Sequence, residues 1–315
     1  MINKISDKTI CLANNISSLS YSKKNIKKTV LRDITGVVVR SVQETSDTWT
    51  HYMYINKENM NYKAGQFLSI SPKQFPELQE MVAYLEYIKG KKESIRAYSM
   101  TSAPNEKYVS ITVKAESFDV DDTKYPPLLS PFLSSQYIEG REIKFRGYTG
   151  SYYLKEDHGN KTDEVLHIVA GSGIVPSFSI LKDELLENKN INVKHTLIYV
   201  NRTYKDMIFY KEINDLARKF PKRFKLINLI TREDTPEEYG ANFFKGRPTF
   251  DLISSNIKDT ANVLVFSCGA AITRWQKDKA KKLGIKLTPR FLDSIKEIIT
   301  KLGIEKRRFK YEDYG

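Results

Sequence analysis

The sequence predicts two domains: an N-terminal six-stranded antiparallel β-barrel, then an α/β domain built on a parallel sheet. Three observations lead there. Six short segments rich in β-branched and aromatic residues, separated by turn residues, run from Thr35 to Arg146. From Val165 onward apolar runs alternate with helical patterns. A chain of 315 residues is also long enough for two cores.

In order, residues 1–30 are polar, rich in Asn, Ser and Lys, and aperiodic, which reads as a flexible arm. Barrel strands are expected at Thr35–Val42, Trp49–Ile55, Gln66–Ser71, Ile95–Met100, Tyr108–Lys114 and Glu142–Arg146. Between the third and fourth, Leu78, Met81, Val82, Leu85 and Ile88 fall at helical spacing between Pro76 and Gly90. That pattern predicts a helix inserted within 72–94. The barrel domain is assigned to 31–158 and the α/β domain to 159–315. Apolar strands are expected at Val165–Ala170, Thr196–Val200, Phe224–Ile230 and Val263–Phe266. Helices are expected at Phe178–Glu187, Lys205–Phe220, Ile272–Leu283 and Phe291–Leu302.

Composition removes several classes of function. Cys11 and Cys268 are the only cysteines, which excludes a disulfide framework, a cysteine-ligated zinc site and a four-cysteine iron–sulfur cluster. His51, His158, His167 and His195 are scattered without metal-ligand spacing, so no metal is expected. No apolar run approaches membrane-spanning length and no secretory signal is present, so a cytoplasmic protein is expected. The formal charge of +13 fits an acidic protein partner or anionic nucleotides. It also fits a lysine-rich surface with no target, and no nucleic-acid motif accompanies it.

The segment Val165–Pro176 is an apolar run, a Gly-x-Gly turn at Gly171, Ser172 and Gly173, and the start of a helical pattern at Pro176. Pro suits a first helical turn. A strand, a glycine turn and a helix N-terminus bring backbone N–H groups up to a phosphate, and they also occur as an ordinary connection. The spacing is not the Gly-x-Gly-x-x-Gly dinucleotide fingerprint. The predicted strand ends Asn201-Arg202, Thr231-Arg232 and Ser267-Cys268-Gly269 are polar, small or basic, as suits an anion-binding rim.

Arg96-Ala97-Tyr98-Ser99 matches the Arg-x-Tyr-Ser signature of the ferredoxin–NADP reductase superfamily of flavoproteins. Other segments resemble that family in the same order. Ala64-Gly65-Gln66-Phe67 is similar to the strand before the signature, and Thr112-Val113-Lys114 to the one after it. Ser130 sits where the family opens a short helix onto the FAD pyrophosphate, within Leu129–Leu133. Gly147–Tyr152 resembles the Gly-Pro-x-Gly-x-Phe turn, with Tyr148 in place of Pro. Ala170–Pro176 resembles the Gly-Thr-Gly-Ile-Ala-Pro loop, and Cys268-Gly269 the Cys-Gly motif near the nicotinamide, with Ala270 where Pro or Leu is usual. The resemblance covers about residues 31–315.

The resemblance implies a bacterial-type reductase without an iron–sulfur domain. FAD would contact Arg96, Ala97, Tyr98, Ser99, Thr112, Val113, Lys114, Ser130 and Tyr314. NADP(H) would contact Gly171, Ser172, Gly173, Pro176, Arg202, Thr231, Arg232, Arg247, Cys268 and Gly269. Thr231-Arg232 and Gly246-Arg247 resemble the Ser-Arg and Gly-Arg pairs that grip the 2′-phosphate in NADP-dependent members, although Glu233 and Asp234 follow closely. Tyr311–Gly315 resembles the Glu-x-Tyr ending whose aromatic residue covers the flavin, with Gly315 beyond it. Ser99, Cys268, Glu312 and Tyr314 would surround the hydride-transfer locus. The implied function is hydride transfer between NADPH and FAD, with single electrons passed to a separate acidic ferredoxin or flavodoxin. The implied alternatives are an oxygenase reductase or a flavin-bearing subunit of a larger complex. A monomer is expected.

Overall fold

The computed structural model describes residues 32–314; the arm assigned to residues 1–30, and Gly315, lie outside them. The barrel comprises β1 (Arg32–Thr45), β2 (Thr48–Tyr54), β3 (Phe67–Ile70), β4 (Arg96–Ser99), β5 (Val109–Lys114) and β6 (Glu142–Thr149). Their order is β4-β3-β6-β1-β2-β5, and every paired neighbour is antiparallel. A bridge between Met100 and Ile111 joins the two outer strands, as closure of a barrel requires. Ile34 and Val38 on β1, Met53 on β2, Leu68 and Ile70 on β3 and Ile111 and Val113 on β5 fill the interior.

The inserted helix is Gln79–Lys89, ending on Gly90 in the left-handed conformation. Leu78, Val82 and Leu85 are buried, but Met81 and Ile88 are 45% and 39% exposed. The face that packs on the barrel is therefore narrower than the apolar pattern, and two of its five residues lie on the solvent edge.

The second domain carries β7 (Glu164–Ala170), β8 (Lys194–Asn201), β9 (Phe224–Ile230), β10 (Phe243–Lys245), β11 (Leu264–Gly269) and β12 (Phe309–Asp313). They form one parallel sheet in the order β10-β9-β8-β7-β11-β12. β7, β8, β9 and β11 are buried on both faces over most of their length, which explains their unbroken apolar runs. The two outer strands were not expected from sequence. β10 has three residues, and β12 is interrupted by Lys310, Glu312 and Asp313.

Three helix starts differ from expectation. The helix Ile174–Leu186 begins four residues before Phe178, so Pro176 lies inside the first turn, where an absent N–H is harmless. The stretch 205–220 divides into a short 3-10 turn, Tyr204–Asp206, and the helix Tyr210–Lys219 after Phe209 at φ 58°. The helix expected from Ile272 begins at Arg274 because Thr273 and Gln276 form a reciprocal cap there. The last helix is Phe291–Lys301.

The two halves share packing. Ala64 and Tyr152, from the barrel side, belong to the same apolar cluster as Val169, Ile174 and Cys268. Ser179 Oγ donates to the Ser102 carbonyl at 2.6 Å, and Lys182 pairs with Glu106.

Candidate functional site

Chain order in the sheet reverses between β7 and β11, and ligands of such sheets bind where the strand ends diverge. The loop after β7 turns at Gly171, whose φ of +53° favours glycine, and passes through Gly173 into the helix Ile174–Leu186. A Cβ on Gly173 would stand 2.2 Å from the Cys268 carbonyl oxygen. Only glycine lets this helix start press against the end of β11. Gly171, Ser172, Gly173 and Pro176 are thus gathered beside Cys268 and Gly269.

The barrel meets this point through the C-terminal strand. β12 pairs with β11 so that Glu312 lies opposite Cys268 and Asp313 opposite Gly269. The Tyr314 N–H donates to the Gly269 carbonyl at 3.1 Å. Ser99, buried at the end of β4, donates its hydroxyl to Glu312 Oε2 at 3.1 Å across 213 residues of sequence. Ser99, Cys268, Glu312 and Tyr314 are therefore one cluster. Burial raises the Glu312 carboxyl to about 7, moderated by the Ser99 hydrogen bond. Burial, with Glu312 and Asp313 nearby, pushes the Cys268 thiol well up, so it is a neutral thiol. The Tyr314 hydroxyl oxygen is buried without a hydrogen-bond partner.

On the barrel side Arg96 and Ala97 are exposed and Tyr98 is half-buried. Arg96 bonds Glu93 at 3.0 Å and borders a cavity of about 190 Å³ also lined by Lys89, Lys91, Lys92 and Tyr125. The other expected barrel contacts have their side chains engaged. The Thr112 hydroxyl bonds Thr50 and Thr101 at 2.8 and 2.7 Å. Val113 is core, and Lys114 pairs with Asp47 at 2.9 Å. The Ser130 hydroxyl donates to Glu116 at 3.1 Å. What β5 offers a ligand from Thr112 and Val113 is therefore backbone.

On the nucleotide side Arg202, Arg232 and Arg247 follow β8, β9 and β10, adjacent in the sheet, and all three are exposed. The Arg232 N–H donates to the Arg202 carbonyl at 2.9 Å, and Thr231 bonds the Asn201 carbonyl through its N–H and its hydroxyl. None of these arginines joins an ion pair among the described residues. Of the neighbouring acids, Asp234 pairs with Lys245 at 2.6 Å, while Glu233 accepts from the Tyr204 N–H at 3.2 Å through one oxygen and its other oxygen is buried without a partner.

One cluster was not foreseen. His158, His167 and His195, scattered in sequence, come together around Glu184 beneath β7 and β8. Among the described residues no group of His, Cys, Asp or Glu is arranged to hold a metal ion. Nor is any described helix long and apolar enough to cross a membrane.

Comparison with known proteins places these features in context. Residues 168–275 match the family model described as the oxidoreductase NAD-binding domain. NADH-cytochrome b5 reductase 2 of Botryotinia fuckeliana is 27% identical over 220 residues, covering 67% of this chain and 59% of that protein. The Xenopus tropicalis NADH-cytochrome b5 reductase 2 is 27% identical over 259 residues, covering 75% and 83% respectively. Against two of the fungal relatives, then, the chain spans only about half to three-fifths of their length. Among solved structures, the FAD/NAD-binding domain of a Vibrio cholerae nitric oxide dioxygenase superposes with a TM-score of 0.63 at 21% identity, covering 90% of this chain and 100% of that one. Ferredoxin-NADP+ reductase from Plasmodium falciparum gives 0.60 at 16%, covering 90% and 96%.

Proposed function

From its membership of the ferredoxin–NADP reductase superfamily, carried by its two-domain fold and NAD-binding domain, we propose that this chain is an FAD-dependent oxidoreductase using NADPH and an acidic one-electron carrier protein. The observation that carries this reading is the Ser99–Glu312 hydrogen bond. It joins the flavin signature strand to the strand beside Cys268, where a nicotinamide and a flavin would have to meet.

The residues present fit FAD, a flat ring system joined to a pyrophosphate. Arg96 opens beside a cationic cavity, Tyr98 is half-buried next to the hydroxyl of Ser99, and the Tyr314 hydroxyl is buried without a partner. When bound, FAD would accept a hydride from NADPH and give up two electrons singly, leaving one proton to return to water. The protein's part is placement. Arg96 would hold the flavin pyrophosphate, Tyr98 and Tyr314 would lie on the ring, and Ser99 would direct its hydroxyl at the reacting edge. The Gly171–Gly173 turn and the helix start behind it would receive the nicotinamide nucleotide's pyrophosphate. Arg202, Arg232 and Arg247 would grip a 2′-phosphate. Asp234 is already paired with Lys245, and the three arginines at this rim favour NADPH.

A second reading has its own support. The curated relatives are named NADH-cytochrome b5 reductases, which favours NADH and a haem carrier. A ferredoxin or flavodoxin remains the proposed acceptor class, since the charge of +13 suits an acidic partner steered electrostatically. The proposed setting is the cytoplasm, with the protein a monomer. Purified protein should be yellow and release FAD on denaturation; a colourless preparation that FAD does not reconstitute would overturn the flavin reading. Arg232→Ala should raise the KM for NADPH about 10-fold or more, the worth of one charge-assisted hydrogen bond, with little change for NADH. Equal effects on both coenzymes would replace NADPH by NADH.

A further inference from the structure

A row of buried polar side chains, hydrogen-bonded except for one gap between His195 and Glu184, runs from the cluster around Cys268 to the far side of the sheet, and nothing in the proposed placement of cofactors uses it. Its inner end is Tyr152, 1% exposed, whose hydroxyl burial keeps protonated and which lies near Cys268 and Glu312. Tyr152 Oη is 2.7 Å from Ser177 Oγ, and Ser177 Oγ is 3.1 Å from His167 Nδ1. His167 Nε2 is 3.3 Å from His195 Nδ1, with the two rings stacked. His195 Nε2 then faces Glu184 Oε2 at 4.0 Å, and that oxygen is 3.2 Å from His158 Nε2. His158 and Glu184 line a cavity of about 360 Å³, together with Lys155, Glu156, Asp183 and Lys189.

The row has a direction. Burial holds His167 and His195 near a pKa of about 3, so both rings are neutral and each carries one N–H. Glu184 is held below its usual range by His158, against the upward push of burial, so it is a carboxylate and only accepts. The His195 proton therefore belongs on Nε2, aimed at Glu184, which leaves Nδ1 to accept from His167 Nε2–H. His167 Nδ1 then accepts from Ser177, and Ser177 from Tyr152. Every donor points away from the Cys268 cluster, and the Tyr152 oxygen keeps its lone pairs for an incoming proton. The Arg223 guanidinium, close enough to lower His195 further, disfavours a charged imidazolium there. Transfer would thus be a concerted shift along the row and not a resting charge. Only the His195–Glu184 step is long; the carboxylate must move by about 1 Å to reach hydrogen-bonding distance.

We propose that Tyr152, Ser177, His167, His195 and Glu184 form an outward proton path from the flavin locus to the cavity at Lys155, with His158 beside Glu184 positioning the terminal acceptor. The proposal rests on the flavin reading. Oxidation of NADPH yields NADP+, two electrons and one proton; the electrons leave with the carrier, and this row takes the proton to water.

The test compares proton appearance with electron loss in the FAD-loaded protein. Protein reduced with one equivalent of NADPH is reoxidised with ferricyanide, while a pH-indicator dye and the flavin absorbance are followed together. In the wild type the two traces should keep step. In His167→Phe, whose ring still fills the stack against Phe266, and in Tyr152→Phe, proton release should lag electron loss at least 5-fold. If His167→Phe does not fold, Tyr152→Phe carries the measurement. Imidazole 15N spectra of the wild type, which need no turnover, should show both buried rings neutral with the proton on Nε2; a proton on Nδ1 of either ring would break the path. Variants that hold FAD and release protons in step overturn the path and leave the flavin reading intact. A protein that holds no FAD overturns that reading and the path with it.

Discussion

Glu312 and Glu184 are two carboxylates in one domain, both largely withdrawn from water, with opposite protonation. Glu312 has only the Ser99 hydroxyl to bond, and burial lifts it to about 7. Glu184 faces His158 at 3.2 Å, which outweighs burial and holds it below the usual range. For His158 burial acts downward, yet Glu184 outweighs that too and leaves it raised. Burial is common to both sites, so the sign is set by the partner: a neutral hydroxyl leaves a proton exchangeable near neutrality, and a chargeable imidazole locks an ion pair. The first suits a reacting centre. The second suits a structural anchor that also keeps an acceptor ionised.

The largest expected effect follows from breaking that anchor. Glu184→Gln strands His158, and with it the turn His158–Asn160, beside a neutral amide. Removing one member of a buried ion pair costs about 3–5 kcal/mol, read as a lower urea midpoint at unchanged slope. The pH dependence has a definite sign. The raised His158 contributes stability present below its usual 6.5 and lost as pH rises through its folded value. The lowered Glu184 contributes stability present above its usual 4.5 and lost as pH falls through its folded value. The variant should therefore fall furthest behind the wild type between those two values. A loss under about 1 kcal/mol there would mean that the pair is no anchor.

The two sites differ as much in how far sequence reveals them. Arg96–Ser99 and Gly171–Gly173 are legible because their chemistry is local, one strand and one turn, with spacing that backbone geometry requires. The six barrel strands and the β7–β9 core were legible for the same reason, through β-branched runs. Glu312 was reached only through the resemblance of the C-terminal residues. Nothing in Phe-Lys-Tyr-Glu-Asp announces a strand, because β12 is an edge strand that pairs only with β11. The histidine row was hidden altogether. His167 and His195 are 28 residues apart on separate strands, and their proximity arises from the parallel register of β7 and β8. A buried histidine in an apolar run is the only trace such a row leaves, and it does not name a partner.

A smaller effect, with the opposite sign, is expected at Glu312. A carboxyl whose folded value is raised contributes stability that is present below its usual 4.5 and is lost as pH rises through about 7. At pH 8 the wild type carries a charge it holds poorly. Glu312→Gln should match or exceed its stability there by up to about 2 kcal/mol, a shift of this size discounted for partial exposure. Below pH 5 the two proteins should converge. The same variant should flatten any inflection near pH 7 in NADPH-driven flavin reduction. A destabilisation above about 1 kcal/mol at pH 8 would show a paired carboxylate, and the contrast with Glu184 would collapse.

The smallest effect separates the two tyrosines that flank the boundary between the sites. The Tyr152 hydroxyl bonds Ser177 at 2.7 Å, whereas the Tyr314 hydroxyl is buried with no partner. Tyr152→Phe should lose about 1 kcal/mol, the net worth of one buried hydrogen bond. Tyr314→Phe should be neutral or slightly stabilising, within about 0.5 kcal/mol, since it removes an unsatisfied polar atom and keeps the ring. Thermal unfolding of FAD-free protein reads both without interference from cofactor linkage. Equal losses would mean that Tyr314 finds a partner in the folded chain. Its hydroxyl would then belong to the Ser99–Glu312 bond network, and its ring could not swing aside for a nicotinamide without breaking that network.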